Sequence, residues 1–163
     1  MTRKFAEDTI VPVAKSRSEI EALVTKHGAT KFMSFFEEGR AVIAFGMKDR
    51  LVRFTITLPD RKDRKFTHTA HKDTWNQYLR NADQQEKAYQ AELRRIWRAL
   101  LLVIKAKLEA VHSEITTFEQ EFLPFIVLAD GQTVGETIIP RLNGQAGSLD
   151  ITRMLPMPTG GDE

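Results

Sequence analysis

Residues 61 to 72 read RKDRKFTHTAHK, five Lys or Arg and two His around a single Asp. Two kinds of chemistry suit that composition. Cations gathered on one surface neutralise a phosphate backbone and release its counterions, so such binding is electrostatic and weakens with salt. Imidazoles spaced i, i+3, here His68 and His71, share a metal only on a helix and with a third ligand. The chain has no cysteine, and no acidic cluster stands near these histidines. The segment is therefore read as a polyanion contact or as a solvated connection, and no metal or other cofactor is expected.

A phosphate-tracking surface needs more cations than one loop carries. Arg50 and Arg53 lie in the strand-forming stretch before the loop, and Lys72 closes it. Arg94, Arg98 and Lys105 fall within about 40° of one another at helical spacing, although Glu109, one turn on, can neutralise Lys105. The candidate nucleic-acid contact is accordingly Arg50, Arg53, Arg61, Lys62, Arg64, Lys65, Lys72, Arg94 and Arg98. Phe66, Trp75 and Tyr78 follow the loop cations and offer rings on which unpaired bases could stack. The competing reading makes these aromatics core or covering residues.

Catalytic patterns are missing. No Gly-rich phosphate loop, nucleophile elbow or HExxH occurs. Glu37 and Glu38 are adjacent on a hairpin, so their side chains point apart rather than converging for acid–base work. His27 and His112 fall at helix C-termini, where the cationic form suits the dipole. No enzymatic activity is expected. A different opportunity lies near the end of the sequence, where MLPMP (154–158) is a short apolar element in a polar context. Partner domains capture such segments, which nominates Met154, Leu155 and Met157 for a protein contact. The alternative is that Met154 and Leu155 pack back onto the domain.

The elements that would position these residues are legible from pattern. Residues 1–15 read as an arm, 16–142 as one α+β domain, and the Gly- and Pro-rich 143–163 as a tail. Ser16-Arg-Ser-Glu19 has capping-box spacing, and Ile20, Leu23 and Val24 repeat at helical intervals up to Gly28, so a short helix is expected over 17–27. TKFMSFF (30–36), RAVIAFGM (40–47) and LVRFTITLP (51–59) read as a three-stranded antiparallel β-meander. In the third strand Val52, Phe54, Ile56 and Leu58 alternate with Arg53, Thr55 and Thr57. A loop spans 60–72. The long central helix then runs to about Ser113, started at Asp73, Thr74, Asn81 or Asp83. Leu93, Trp97, Leu100, Leu101, Ile104, Leu108 and Val111 form its stripe. Ile96, Leu102 and Val103 make residues 96–104 apolar nearly all round, as in a helix covered by several neighbours. Two short C-terminal helices complete the expectation. One follows Thr116 or Thr117 with Phe118, Phe122 and Phe125 or Ile126 as its stripe, and the other spans 134–142 behind a Thr133–Glu136 box.

Composition bounds the class. A chain of 163 residues, 42% hydrophobic and 28% charged, holds one core. Its apolar runs are too short for a bilayer, MTRKFAEDTIVP carries no apolar signal core, and the lack of cysteine fits the cytoplasm. The formal net charge of +2 is unevenly spread. Residues 48–107 carry 15 basic and 7 acidic groups, whereas 108–163 carry 2 and 9. Such asymmetry either offers a basic face to a polyanion or draws the two parts together within the fold.

WRALLLVIKAKLEAV (97–111), ITTFEQEFL (115–123) and DGQTVGE (130–136), with EIEALVTKHGATKF (19–32) and EEGRAVIAF (37–45), resemble a family of small tailed-phage and prophage proteins without an assigned activity. The resemblance covers residues 18–139 and implies a setting in the host cytoplasm. It brings no site residues with it, and loop 61–72 matches least well. Two functional expectations follow. One is a nucleic-acid-binding accessory protein in phage replication or recombination, with DNA as partner. The other is a protein-binding module, such as an inhibitor of a host defence system or a partner of a phage or host enzyme. A small core with open sheet edges also makes a homo-oligomer plausible.

Overall fold

Pro12 decides where the first helix begins. It is the N-cap residue, at φ −59° and ψ 147°, and its carbonyl accepts from Lys15 N and Ser16 N, so helical geometry begins at Val13. The computed structural model, which describes residues 11–37, 39–69 and 78–142, accordingly shows α1 over Val13–Lys26. The start expected at Ser16 is corrected by one turn. Ser16 caps nothing and is buried inside the helix.

Three antiparallel strands follow, β1 (Lys31–Glu37), β2 (Arg40–Met47) and β3 (Arg50–Thr57), in the order β1-β2-β3. Gly39 takes a φ of +70° in the first hairpin, while Lys48 and Asp49 are both left-handed in the second. That two-residue geometry matches the strand twist. The short α2 (Arg64–Thr67) and the long α3 (Ala82–His112) come next, then α4 (Phe118–Phe122), a 3₁₀ turn at Leu123–Phe125 and α5 (Val134–Leu142). The class is α+β, as the alternation and stripes imply. None of the helices among the described residues is long and apolar enough to cross a membrane.

One face of the sheet carries the core. Ala41, Ile43, Phe45 and Met47 of β2 and Val52 and Phe54 of β3 meet Ile20 and Val24 of α1, Trp97, Leu101, Ile104 and Leu108 of α3, and Phe118 and Phe122 of α4. The aromatics interlock, with Phe122 edge-on to both Phe45 and Phe54 and with Phe125 stacked on Phe54 at 4.2 Å. Capping boxes form at Asn81–Gln84, Thr117–Gln120 and Thr133–Glu136, where each side chain bonds the other residue's backbone N–H. Of the starts considered for the central helix, Asn81 is the one used.

Two features depart from expectation. Residues 60–69 are not wholly loop, because α2 folds there around the buried Phe66. And α3 is not covered all round, since Val103 is 46% exposed. The C-terminal segment goes instead to the far edge of the sheet. Val127 N donates to Leu51 O at 2.8 Å, Ile126 bridges Val52, and Arg53 donates to Gly131 O and Glu136 from the outer face of β3. Gly135 makes this docking possible. A Cβ there would sit 2.7 Å from the Pro124 carbonyl oxygen, which is backbone and cannot swing away. Gly135→Ala is expected to cost about 1–3 kcal/mol by overpacking, read as a lowered urea midpoint. An unchanged midpoint would show that α5 does not need this close approach.

Candidate nucleic-acid interface

The loop cations are positioned by aromatic anchoring and by a side-chain clamp. Phe66 is 3% exposed and meets Tyr89 of α3 edge-on at 5.4 Å, which holds α2 on the first turns of α3. Asp60 Oδ1 accepts from Lys62 N and shapes the entry to the turn. Arg80 closes the other side, donating from Nη1 to the Lys65 and Phe66 carbonyls at 2.9 and 3.3 Å. Main-chain bonds Arg80 N to Thr67 O and Thr69 N to Tyr78 O, with the His68–Leu79 bridge, tie residues 67–69 to 78–80. Arg80 was not legible as a positioning residue, because its partners lie 15 and 14 residues back in a segment without periodicity.

On this frame Arg61, Lys62, Arg64 and Lys65 are all exposed. Arg61 bonds Glu86 and lies over the Tyr89 ring at 4.1 Å, and Lys65 Nζ reaches Glu92 at 3.5 Å and Asp63 at 3.9 Å. Hydrogen bonds from Gln90 and then from Arg61 hold the Glu86 carboxyl below its ordinary range, and the bond to Glu86 raises Arg61 in turn. Lys62 makes no ion pair among the described residues. Leaving aside Arg94 and Arg98, residues 60–69 and 78–98 carry seven Lys or Arg against five Asp or Glu, so a small cationic excess remains. Tyr78, whose backbone pairs with Thr69, is 71% exposed.

The remaining cations of the expected set lie elsewhere. Arg53 is held by Gly131 O and Glu136 on the outer sheet face. There the Thr133 backbone N–H first, and Arg53 after it, lower the Glu136 carboxyl. Arg50 is at the opposite end of β3 from the loop, about 23 Å away at 3.3 Å per residue. Arg98 bonds Glu19 of α1, and Arg94 shares that flank of α3. Both are turned well over a quarter-circle from Tyr89, where α2 docks. Lys72 lies outside the described residues. The structure thus brings Arg61, Lys62, Arg64 and Lys65 together, and the strand and helix cations are not part of that group.

Of the aromatics nominated for stacking, Phe66 is a core anchor and is withdrawn, Tyr78 is exposed, and Trp75 lies outside the described residues, as does His71. Met154, Leu155 and Met157 also lie outside them. Among the described residues no three His, Asp or Glu converge as a metal would require. His27 and His112 do meet, ring edge to face at 5.8 Å, where α1 and α3 end. Sequence reasoning placed each at a helix end without showing that the ends converge.

No protein-family model matches the chain. Neither the curated proteins nor the solved structures contain a significant match to it.

Proposed function

We propose that the protein binds single-stranded nucleic acid through the α2 region, as an accessory factor in tailed-phage replication or recombination. The observation that carries this reading is the exposed group Arg61, Lys62, Arg64 and Lys65, with the exposed Tyr78 tied through its backbone to Thr69 at the end of the same segment. Cations that follow a backbone and an aromatic that accepts any base are the two parts of a sequence-tolerant single-strand site. The ion pairs with Glu86 and Glu92 do not oppose it. The exposed Arg61–Glu86 pair contributes little, because water screens it and two long side chains must be ordered, and Lys65 reaches Glu92 only at 3.5 Å while Arg95 also holds that carboxylate. A phosphate can therefore replace a carboxylate partner at small cost. The resemblance of residues 18–139 to small tailed-phage proteins supports the setting in the host cytoplasm.

Fluorescence anisotropy with a labelled oligothymidine tests the stacking half of this reading. Base–aromatic stacking is worth about 1–3 kcal/mol by alanine substitution, so Tyr78→Ala is expected to weaken binding by that amount while Tyr78→Phe does not. Equal affinity for the Ala and wild-type chains would remove Tyr78 from the site.

A further inference from the structure

Among the described residues the sheet has one covered edge and one open one. Ile126 and Val127 lie along β3, whereas β1 pairs only with β2 among the described residues. An open edge presents unpaired backbone N–H and C=O groups, and natural edges are blunted by brevity, bulges or inward charges. β1 runs for seven regular residues, KFMSFFE, with Met33 53%, Phe35 43% and Phe36 51% exposed. Its only charged residues, Lys31 and Glu37, stand at its two ends.

Its sequence is also complementary to itself when reversed. We propose that β1 pairs antiparallel with β1 of a second copy of this chain about a two-fold axis at Ser34, joining two sheets into one of six strands. In that register Lys31 stands opposite the partner copy's Glu37 at each end of the seam. Phe32 stands opposite Phe36 on the core face, and Met33 opposite Phe35 on the outer face. Ser34 faces itself. Its Oγ is shielded from solvent and hydrogen-bonds nothing among the described residues, and a facing serine hydroxyl is a suitable partner across antiparallel strands. Opposite charges at the ends with apolar pairs between them favour this register over a slip by two residues, which leaves Lys31 without Glu37. The occupant indicated is a second copy, because the pattern matches its own reverse.

Sedimentation velocity of the full chain across the micromolar range tests this. The wild-type chain is expected to dimerise reversibly. Lys31→Glu alone and Glu37→Lys alone each place like charges at both ends of the seam, and each is expected to weaken the dimer about tenfold or more. Both side chains are exposed, so circular dichroism of the two variants should match the wild type. Mixing the two variants restores opposite charge at both ends, and the mixture is expected to form a heterodimer about as tight as the wild-type dimer. A monomeric wild-type chain overturns the proposal. So does a dimer that neither reversal weakens, or a mixture that associates no better than its components.

Discussion

Trp97→Ala is expected to destabilise the protein by about 3–5 kcal/mol, a large share of the roughly 5–15 kcal/mol that holds a domain folded. Trp97 is the largest of the fully buried side chains among the described residues. It sits on α3 within the core cluster built on the sheet, α1 and α4, and its ring packs on Phe36 at a centroid distance of 5.8 Å. Removing the indole opens a cavity that a backbone-paired sheet cannot collapse to fill, so the loss combines transfer energy with lost contacts. Trp97→Phe provides the control. The Nε1–H hydrogen-bonds no protein group among the described residues, so phenylalanine gives up volume without giving up a hydrogen bond. Its cost should be well under half that of alanine. Urea denaturation of both variants separates packing from polar terms. Similar midpoints for the two would contradict the central place given to this ring.

The combined change of Arg61, Lys62, Arg64 and Lys65 to Ala should reduce affinity for single-stranded DNA by tenfold to roughly a hundredfold at low salt. It should also flatten the salt dependence. Each phosphate neutralised on a single strand contributes about 0.7 to the slope of log K against log salt, so four lost contacts remove nearly three units. Stability should change little, because all four side chains are exposed and Phe66 and Arg80 still hold α2 in place. A matching change of Arg50, Arg53, Arg94 and Arg98 removes as many cations from other parts of the fold. It should lower affinity less, because these four lie outside the α2 group, Arg53 on the outer sheet face beside Glu136 and Arg98 against Glu19 of α1. If the two quadruple variants lose affinity equally, binding follows overall charge and not the α2 region.

Legibility of the sequence falls off with the distance over which an interaction acts. The box at Thr133 and Glu136 spans four residues, and the expected helix over 134–142 forms as Val134–Leu142. The alternation of Val52, Phe54 and Ile56 identified the core face of β3 because side chains along a strand alternate between faces. Ser16–Glu19 shows the limit of such signals. Two overlapping starts compete, and the helix forms from the earlier one, where the Pro12 carbonyl accepts from the Lys15 and Ser16 N–H groups. Val103 misled in another way. Apolar residues all round α3 suggested neighbours on every side, but Arg53 and Gly135 help to dock the following segment at β3, which leaves that flank open.

The candidate site was legible only in its local part. Four cations within five residues are visible in any reading of 61–65. That Arg61 meets Glu86 and Arg98 meets Glu19 depends on contacts 25 and 79 residues apart, which charge spacing alone does not encode. The exposed Arg61–Lys65 group and Tyr78 therefore carry the functional account, and the electrostatic character of binding is its most exposed consequence. Titration of the wild-type chain against an oligothymidine and a duplex of equal length, over a series of salt concentrations, measures it most directly. The expected result is tighter binding to the single strand, with log affinity falling linearly in log salt at a slope of about −3 or steeper. No binding to either nucleic acid at the lowest salt would contradict the account.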